Sequence, residues 1–217
     1  MKAGFHDAGD DAFLDPRGAL WAAIEAQDLD MLPAPVGLAA GLSPFMALSR
    51  DHGKVRRAEV RVAHNGRKLS VRLVWGEDDP VTAIGDLDRF VDGAAVMFPL
   101  TAQARALTMG DERNPVNAWL WKADRPMPDD VLAYGFGTSR RRGGSAAGLR
   151  AASSHAEGRW HVVFQRALRA GAEVDGQVAF KPAATVGLAV ALWAGSKRER
   201  AGQKSVSGEW TPLEISA

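Results

Sequence analysis

The sequence contains no cysteine among its 217 residues. This absence excludes disulfides, thiolate zinc sites, iron–sulfur clusters and the covalent attachment of c-type haem. A redox cofactor in this chain would therefore be held by other side chains. The chain also lacks an excess of one charge, because 27 Lys and Arg residues face 26 Asp and Glu residues, for a net charge of +1. That balance gives no general attraction to nucleic acid or to an anionic membrane.

Long hydrophobic runs are missing as well. The most apolar stretch, residues 185–195, is too short to cross a bilayer of roughly 30 Å, and it predicts a strand buried on both faces. At the N-terminus, Asp7, Asp10 and Asp11 stand where an export signal would need an apolar run, so no signal peptide is visible. We therefore predict no membrane span in this chain.

Familiar catalytic motifs are equally absent. The 5 histidines have no metal-ligand spacing, and the sequence has no G-x-S-x-G, no Walker loop and no H-E-x-x-H. Paired carboxylates such as Asp78 and Asp79 stand next to prolines, which is typical of turns. We therefore expect this chain to have no enzymatic activity of its own.

What the sequence does contain is a strong β pattern. In residues 56–76, Val60 and Val62 alternate with polar residues, and a second alternating run leads to Trp75. The Asn65-Gly66 pair between the runs suits a two-residue turn that needs positive φ. We predict a β-hairpin with one face in solvent.

Further strands follow, with Gly and Pro between them. They are predicted at 94–100, 117–123, 159–168, 176–182, 185–195 and near 209–215. One helix is predicted from Pro16 to Gln27, where Asp15 would be the N-cap and Pro16 the first helical residue. Many short strands and few helices indicate a mainly β protein, an antiparallel β-sandwich that forms a single domain over residues 1–217.

Residues 135–158 are rich in Gly, Ser, Ala and Arg and show no apolar periodicity. This composition predicts a long, mobile loop. The run Arg140 to Arg142 within it is interpreted as solvated, with docking to an acidic partner as the alternative.

Two motifs carry a resemblance to a known family. They are "TMGDERNPVNAWLWKAD", residues 108–124, and "ERAGQKSVSGEW", residues 199–210. In their order and surroundings they resemble the haem b-binding γ subunits of the ethylbenzene dehydrogenase and dimethylsulfide dehydrogenase type, which belong to molybdenum enzymes of the dimethyl sulfoxide reductase superfamily. The resemblance implies a β-sandwich holding one noncovalent b-type haem through a methionine and a lysine. By motif, these ligands are Met109 and Lys204.

The same resemblance implies partners and a location. Such a γ subunit works in a heterotrimer with a molybdenum catalytic subunit and an iron–sulfur subunit. It passes electrons between the iron–sulfur subunit and an external carrier, such as a soluble c-type cytochrome. The expected compartment is the periplasm, reached either as a mature chain or together with a partner that carries the signal, and a cytoplasmic version is the alternative.

The chemistry of the proposed ligand pair is consistent with its sequence context. Met109 precedes Gly110, so a flexible thioether would be presented from a loop whose backbone can come close to a flat ring. Lys204 must lose a proton before it can coordinate. From a pKa of ~10.4, that loss costs about 4 to 5 kcal/mol near pH 7, which an iron bond and a dry pocket must offset. Acid should therefore release the lysine.

The remaining candidates for contact with the cofactor are Phe98, Asn117, Trp119, Trp121 and Lys122. The three aromatic residues are predicted to line the ring pocket, with ordinary sandwich core as the competing interpretation. Lys122 is either a second candidate amine ligand or a partner for a haem propionate. Asn117 is either a cofactor contact or a hydrogen-bonding residue of the adjacent turn, and Met97 is the second candidate sulfur ligand.

A function of a different class stays open at this point. A haem-free β-sandwich could use its tryptophans to bind a sugar or another ligand with an apolar face. That alternative predicts Trp119 or Trp121 on an exposed platform.

Overall fold

The computed structural model describes residues 1–39, 41, 48–85, 88–171 and 175–217. The strands in these ranges are β1 (Lys2–Phe5), β2 (Gln27–Asp30), β3 (Leu32–Pro33), β4 (Arg57–His64), β5 (Lys68–Gly76), β6 (Gly93–Pro99), β7 (Val116–Lys122), β8 (Asp129–Ala133), β9 (Arg140–Gly143), β10 (Arg150–Ala156), β11 (Arg159–Ala167), β12 (Thr185–Trp193), β13 (Ser205–Val206) and β14 (Thr211–Ile215). The α-helices are α1 (Asp10–Leu14) and α2 (Gly144–Ala147), and 3-10 turns cover Ala19–Ala23, Val36–Ala39 and Gly195–Lys197.

The strands form two packed layers, which confirms a mainly β sandwich. One layer has the order β10-β11-β5-β4 and the other the order β14-β12-β6-β7-β8-β9. Strand β1 joins them, because it pairs in parallel with both β4 and β14, whereas the other pairs in this path are antiparallel. The main core lies between the layers and includes buried residues of β5, β6, β7, β11 and β12.

The predicted hairpin is confirmed as β4 and β5. Gly66 has φ +79°, and the Asn65 Oδ1 accepts hydrogen bonds from the backbone N–H groups of Arg67 and Lys68. The prediction of one solvent face was wrong. Residues 69–75 of β5 are all buried, because the N-terminal segment packs Phe13 and Trp21 on the outer face of this layer.

The predicted helix from Pro16 to Gln27 was also wrong. The Asp15 side chain accepts a hydrogen bond from the Arg17 N–H and so closes a turn. The Trp21 indole is 2% exposed and donates to the Asp15 carbonyl oxygen at 3.0 Å. Tertiary packing of Trp21 on the sheet leaves only a short 3-10 turn in place of the helix.

The predicted loop at 135–158 contains β9, α2 and all of β10. Strand β10 pairs with β11 from Arg150 opposite Gln165 to Ala156 opposite Arg159. Because these contacts come from a partner strand and not from an apolar repeat, composition alone gave the wrong result. The strand predicted at 176–182 was wrong, because these residues are irregular, although Val178 and Phe180 are buried there.

Candidate functional site

A cavity of about 460 Å³ lies on the outer face of the second layer, away from the main core. Its floor is formed by β6, β7, β8 and β12, and the covering residues come from 34–36, 106–109, 136–141 and 201–208. The volume is within the range usual for small-molecule and cofactor sites, about 300 to 1,000 Å³. Most of the lining is apolar, which favours a ligand with large apolar faces.

Small side chains make the floor flat. Ala95 stands opposite Ala191 on one neighbouring strand, and Met97 stands between Ala118 and Ala189. Methyl groups extend little above a sheet, so a planar ligand can lie close to the strands. These alanines were missed by the sequence reasoning, although the alternation of Ala189 and Ala191 in β12 was a usable signal.

Met109 is held under tight backbone constraint at the cavity. Its φ is +57°, which is unusual for a residue other than glycine and costs on the order of 1 kcal/mol or more. Two hydrogen bonds hold the conformation: its N–H donates to the Ala106 carbonyl oxygen, and its carbonyl oxygen accepts from the Gly135 N–H, both at 3.0 Å. A Cβ on Gly110 would lie 2.4 Å from the Asn114 carbonyl oxygen, so this position requires glycine.

Lys204 reaches the same point from a distant part of the chain. Its Nζ lies 3.9 Å from the Met109 Sδ and 4.9 Å from the centroid of the Trp193 ring. Burial, together with repulsion from the nearby Lys122 charge, lowers the pKa of Lys204 to about 8. Among the described residues, no carboxylate forms an ion pair with this amine. The structure therefore brings both predicted ligand residues together in a setting where deprotonating the amine costs less than it does in water.

Lys122 lines the cavity as a second amine. Its Nζ donates to the Val91 carbonyl oxygen at 3.3 Å and lies 4.8 Å from the Trp193 centroid. Burial lowers the pKa of Lys122 to about 8, while the charges of Asp124 and Asp92 oppose that change. The two lysines therefore share the Trp193 ring, another cavity residue that the sequence reasoning missed.

The other predicted contact residues lie on the opposite face of their strands. Trp119 and Phe98 are fully buried in the main core, and Trp121 is 4% exposed there. Successive residues of a strand point to opposite faces. Ala118, Leu120 and Lys122 of β7 therefore line the cavity, while the two tryptophans of β7 do not. Phe98, Trp119 and Trp121 therefore lie in the sandwich core, as the competing interpretation predicted, and not in the wall of this cavity.

Asn117 also lies in the interior and does not line the cavity. Its Nδ2 donates to the Asp130 Oδ1 at 2.7 Å, and its Oδ1 accepts from the Val178 N–H at 3.2 Å and from Arg166 at 3.3 Å. Asn117 therefore connects buried polar groups between the layers. Met97, the second candidate sulfur ligand, does line the cavity.

The residues present fit a planar metal cofactor. The Lys204 Nζ and the Met109 Sδ, 3.9 Å apart, would hold the metal of such a cofactor, and the apolar lining would hold its ring. No cluster of three His, Cys, Asp or Glu side chains among the described residues offers another metal site. In the same ranges, no helix is long and apolar enough to span a membrane.

The fold and this cavity define a class: a β-sandwich with a lysine and methionine pair in an apolar chamber outside its core. Comparison with known proteins is more specific. The family described as "Ethylbenzene dehydrogenase" matches residues 19–145 and 127–205. The chain belongs to this family, within the group that includes γ subunits of type II molybdenum enzymes.

Three relatives agree with that assignment. A chlorate reductase γ subunit from Ideonella dechloratans is 35% identical and is covered over 82% of its length by 96% of this chain. A dimethylsulfide dehydrogenase γ subunit from Rhodovulum sulfidophilum is 32% identical, with 90% of this chain covering 73% of its length. A Haloferax mediterranei protein provisionally named a respiratory nitrate reductase haem subunit is 35% identical, and 90% of this chain spans 66% of it.

Solved structures support the fold. A candidate carbohydrate-binding protein from Bacteroides uniformis superposes with a TM-score of 0.58 at 13% identity, over 99% of this chain and 98% of the other. A family 9 carbohydrate-binding module from Caldicellulosiruptor kristjanssonii, solved with glucose, gives a TM-score of 0.53 at 8% identity, over 100% and 95%. At such low identity the similarity concerns the fold alone.

Proposed function

We propose that this chain is a non-catalytic electron-transfer subunit that binds one b-type haem noncovalently, with Met109 and Lys204 as its axial ligands. The observation that carries the proposal is the 3.9 Å approach of the Lys204 Nζ to the Met109 Sδ inside an apolar cavity. The names of the relatives support it, because one is a haem subunit and two are γ subunits. Haem b would supply a one-electron redox centre.

Each residue of the pair contributes in a definite way. Met109 offers a soft, neutral sulfur, and axial methionine raises the potential of a haem. Burial already lowers the pKa of Lys204 to about 8, so less free energy is needed to obtain the neutral amine than for an exposed lysine. Because these two side chains would fill both axial positions, they leave no place for a substrate, which is the physical reason for assigning a relay and not a catalyst.

The proposal extends to partners and compartment. By analogy with the γ subunits among its relatives, the chain would join a molybdenum catalytic subunit and an iron–sulfur subunit in a heterotrimer. It would relay electrons between the iron–sulfur subunit and an external carrier such as a soluble c-type cytochrome. We place this complex in the periplasm. Purification of the native complex from periplasmic extract should yield three subunits, and recovery of this chain alone would contradict the assembly.

The cofactor assignment can be tested by reconstitution with haemin. The wild-type chain should develop a Soret band, and Met109→Ala and Lys204→Ala should each change the spectrum because each removes one axial ligand. Met127→Ala and Lys181→Ala are matched controls at exposed positions and should leave the spectrum unchanged. Absence of a Soret band, or wild-type spectra in both ligand variants, would refute the assignment.

A haem-free carbohydrate module is less well supported. That function predicts Trp119 or Trp121 on an exposed platform, but both side chains are buried in the main core. The solved carbohydrate-binding structures share only the fold with this chain, at 8% and 13% identity.

A further inference from the structure

The charged side chains of the cavity all have the same sign. Lys122, Arg141 and Lys204 line it, and no aspartate or glutamate is found among the described lining residues. The rest of the lining is almost entirely apolar. An apolar chamber that contains only cationic groups suits a ligand that combines large apolar faces with acidic groups.

Arg141 faces the cavity because of its register in β9. It stands opposite Val131, which also lines the cavity, whereas Arg142 stands opposite Asp130 on the other face. Arg142 binds the buried Asp130 through its Nη2 at 2.5 Å, and the Arg140 guanidinium lies 5.9 Å from the centroid of the Tyr134 ring. The three consecutive arginines are therefore not equivalent: only Arg141 among them lines the cavity.

The Arg141 charge is poorly compensated within the chain. Its Nη1 lies 3.9 Å from the Asp129 Oδ2, but that oxygen has a closer partner in Arg125 at 3.1 Å. The Arg141 side chain is 53% exposed, so its guanidinium can move at little cost. Burial lowers the pKa of Lys122, and repulsion from Arg141 contributes in the same direction. An anionic ligand group between these cations would relieve that repulsion.

We propose that Arg141, together with Lys122, binds the carboxylates of the planar ligand, so that the cavity selects a dicarboxylate porphyrin over a neutral one. This inference rests on the proposed function and assigns a carboxylate-binding role to Arg141. A guanidinium presents paired N–H donors that match the two oxygens of a carboxylate, and its charge persists at any physiological pH. Lys122 contributes a second cation from the floor of the cavity.

The test compares two ligands and two arginine variants. The probes are haemin and haemin dimethyl ester, in which both carboxylates are neutral, and affinity is measured by Soret titration of the ligand-free full chain. Wild type should bind haemin more tightly than the ester. Arg141→Gln should weaken haemin binding about 10-fold or more, in line with loss of a charge-assisted hydrogen bond, and leave ester binding unchanged. Arg140→Gln, its neighbour outside the cavity, should bind both ligands as wild type does.

The outcomes separate the two proposals. Equal affinity of wild type for haemin and its ester, or an equal effect of Arg141→Gln on both ligands, would overturn the carboxylate role while leaving the haem assignment intact. Failure of wild type to bind either ligand would refute the haem assignment and this inference with it. Arg141→Lys adds a check that keeps the charge: it should bind haemin more tightly than Arg141→Gln, and an affinity equal to that of the glutamine variant would count against a charged contact.

Discussion

Replacing the half-buried lysine of the cavity, Lys204, should stabilise the protein when no cofactor is present. The change is Lys204→Met, which keeps a long unbranched side chain in the same space. Burial lowers the pKa of Lys204 from 10.5 to about 8. At about 1.36 kcal/mol per unit, the charged lysine then costs the folded state about 3 kcal/mol relative to the unfolded chain below pH 8.

One interaction offsets part of this cost. The Lys204 Nζ lies 4.9 Å from the Trp193 centroid, and a cation–π contact contributes about 0.5 to 2 kcal/mol. The cost exceeds this contribution, so Lys204→Met should raise the free energy of unfolding of the haem-free protein by about 1 to 3 kcal/mol at pH 7. The lysine would thus be kept for function at a cost in stability.

The pH dependence gives a second signature. Between pH 8 and 10.5 the folded chain has released the Lys204 proton while the unfolded chain still holds it, so wild-type stability rises with pH through this window. Lys122 has a pKa near 8 for the same reason of burial and adds to that rise. Lys204→Met should therefore show a smaller rise than wild type.

The assay is urea unfolding of haem-free protein, followed by tryptophan fluorescence, at pH 7 and at pH 9.5. Lys181→Met, at an exposed position, is the control and should match wild type at both pH values. A Lys204→Met variant that is no more stable than wild type at pH 7 would refute the reasoning. So would a variant whose stability rises with pH as steeply as that of wild type.

Three further changes probe the site and its support. Ala118→Leu would place a larger side chain on the cavity floor. It should weaken haemin binding at least 10-fold with little loss of thermal stability. Unchanged affinity in a Soret titration would argue against this cavity as the haem site. Gly110→Ala would bring a Cβ within 2.4 Å of the Asn114 carbonyl oxygen. It should displace the Met109 loop and alter the spectrum of the reconstituted protein. A spectrum like that of wild type would show that this loop conformation is not needed for haem binding. Asp130→Ala leaves the cation of Arg142 without its buried partner and should lower the free energy of unfolding by about 3 kcal/mol. A denaturant midpoint equal to that of wild type would contradict a stabilising role for this ion pair.

Local chemistry made part of the fold predictable. The Asn65-Gly66 turn and the alternating residues around it specify a hairpin within one short stretch, because neighbouring side chains and a permitted positive φ suffice. Strands β6, β7 and β12 of the second layer were also predictable from apolar runs between Gly and Pro residues, whereas β8 and β9 were not predicted. Contacts from outside a stretch were not: the packing of Trp21 on the sheet overrode the helix signal after Asp15.

The candidate site was likewise predictable only in part from the sequence. Resemblance of two short motifs predicted Met109 and Lys204 as ligand residues, but the identity of neighbouring residues could not show which face of β7 would meet the cavity. Trp119 stood out by residue type and lies in the core, while the inconspicuous Ala118 lines the floor. Shifting a strand by a single residue exchanges its faces, so this choice depends on pairing across the whole sheet.

The sequence by itself determined the chemical inventory: no thiol ligands, a near-neutral charge, a strand-rich chain and two motifs that carry a thioether and an amine. Only the tertiary structure decided that the amine and the sulfur meet at 3.9 Å, on the outer face of a layer and not between the layers. It also separated Arg141 from Arg142, one on the cavity and one on Asp130. The physical reason is that side-chain chemistry belongs to single residues, whereas proximity, burial and the lowered pKa of Lys204 arise from segments far apart in the chain.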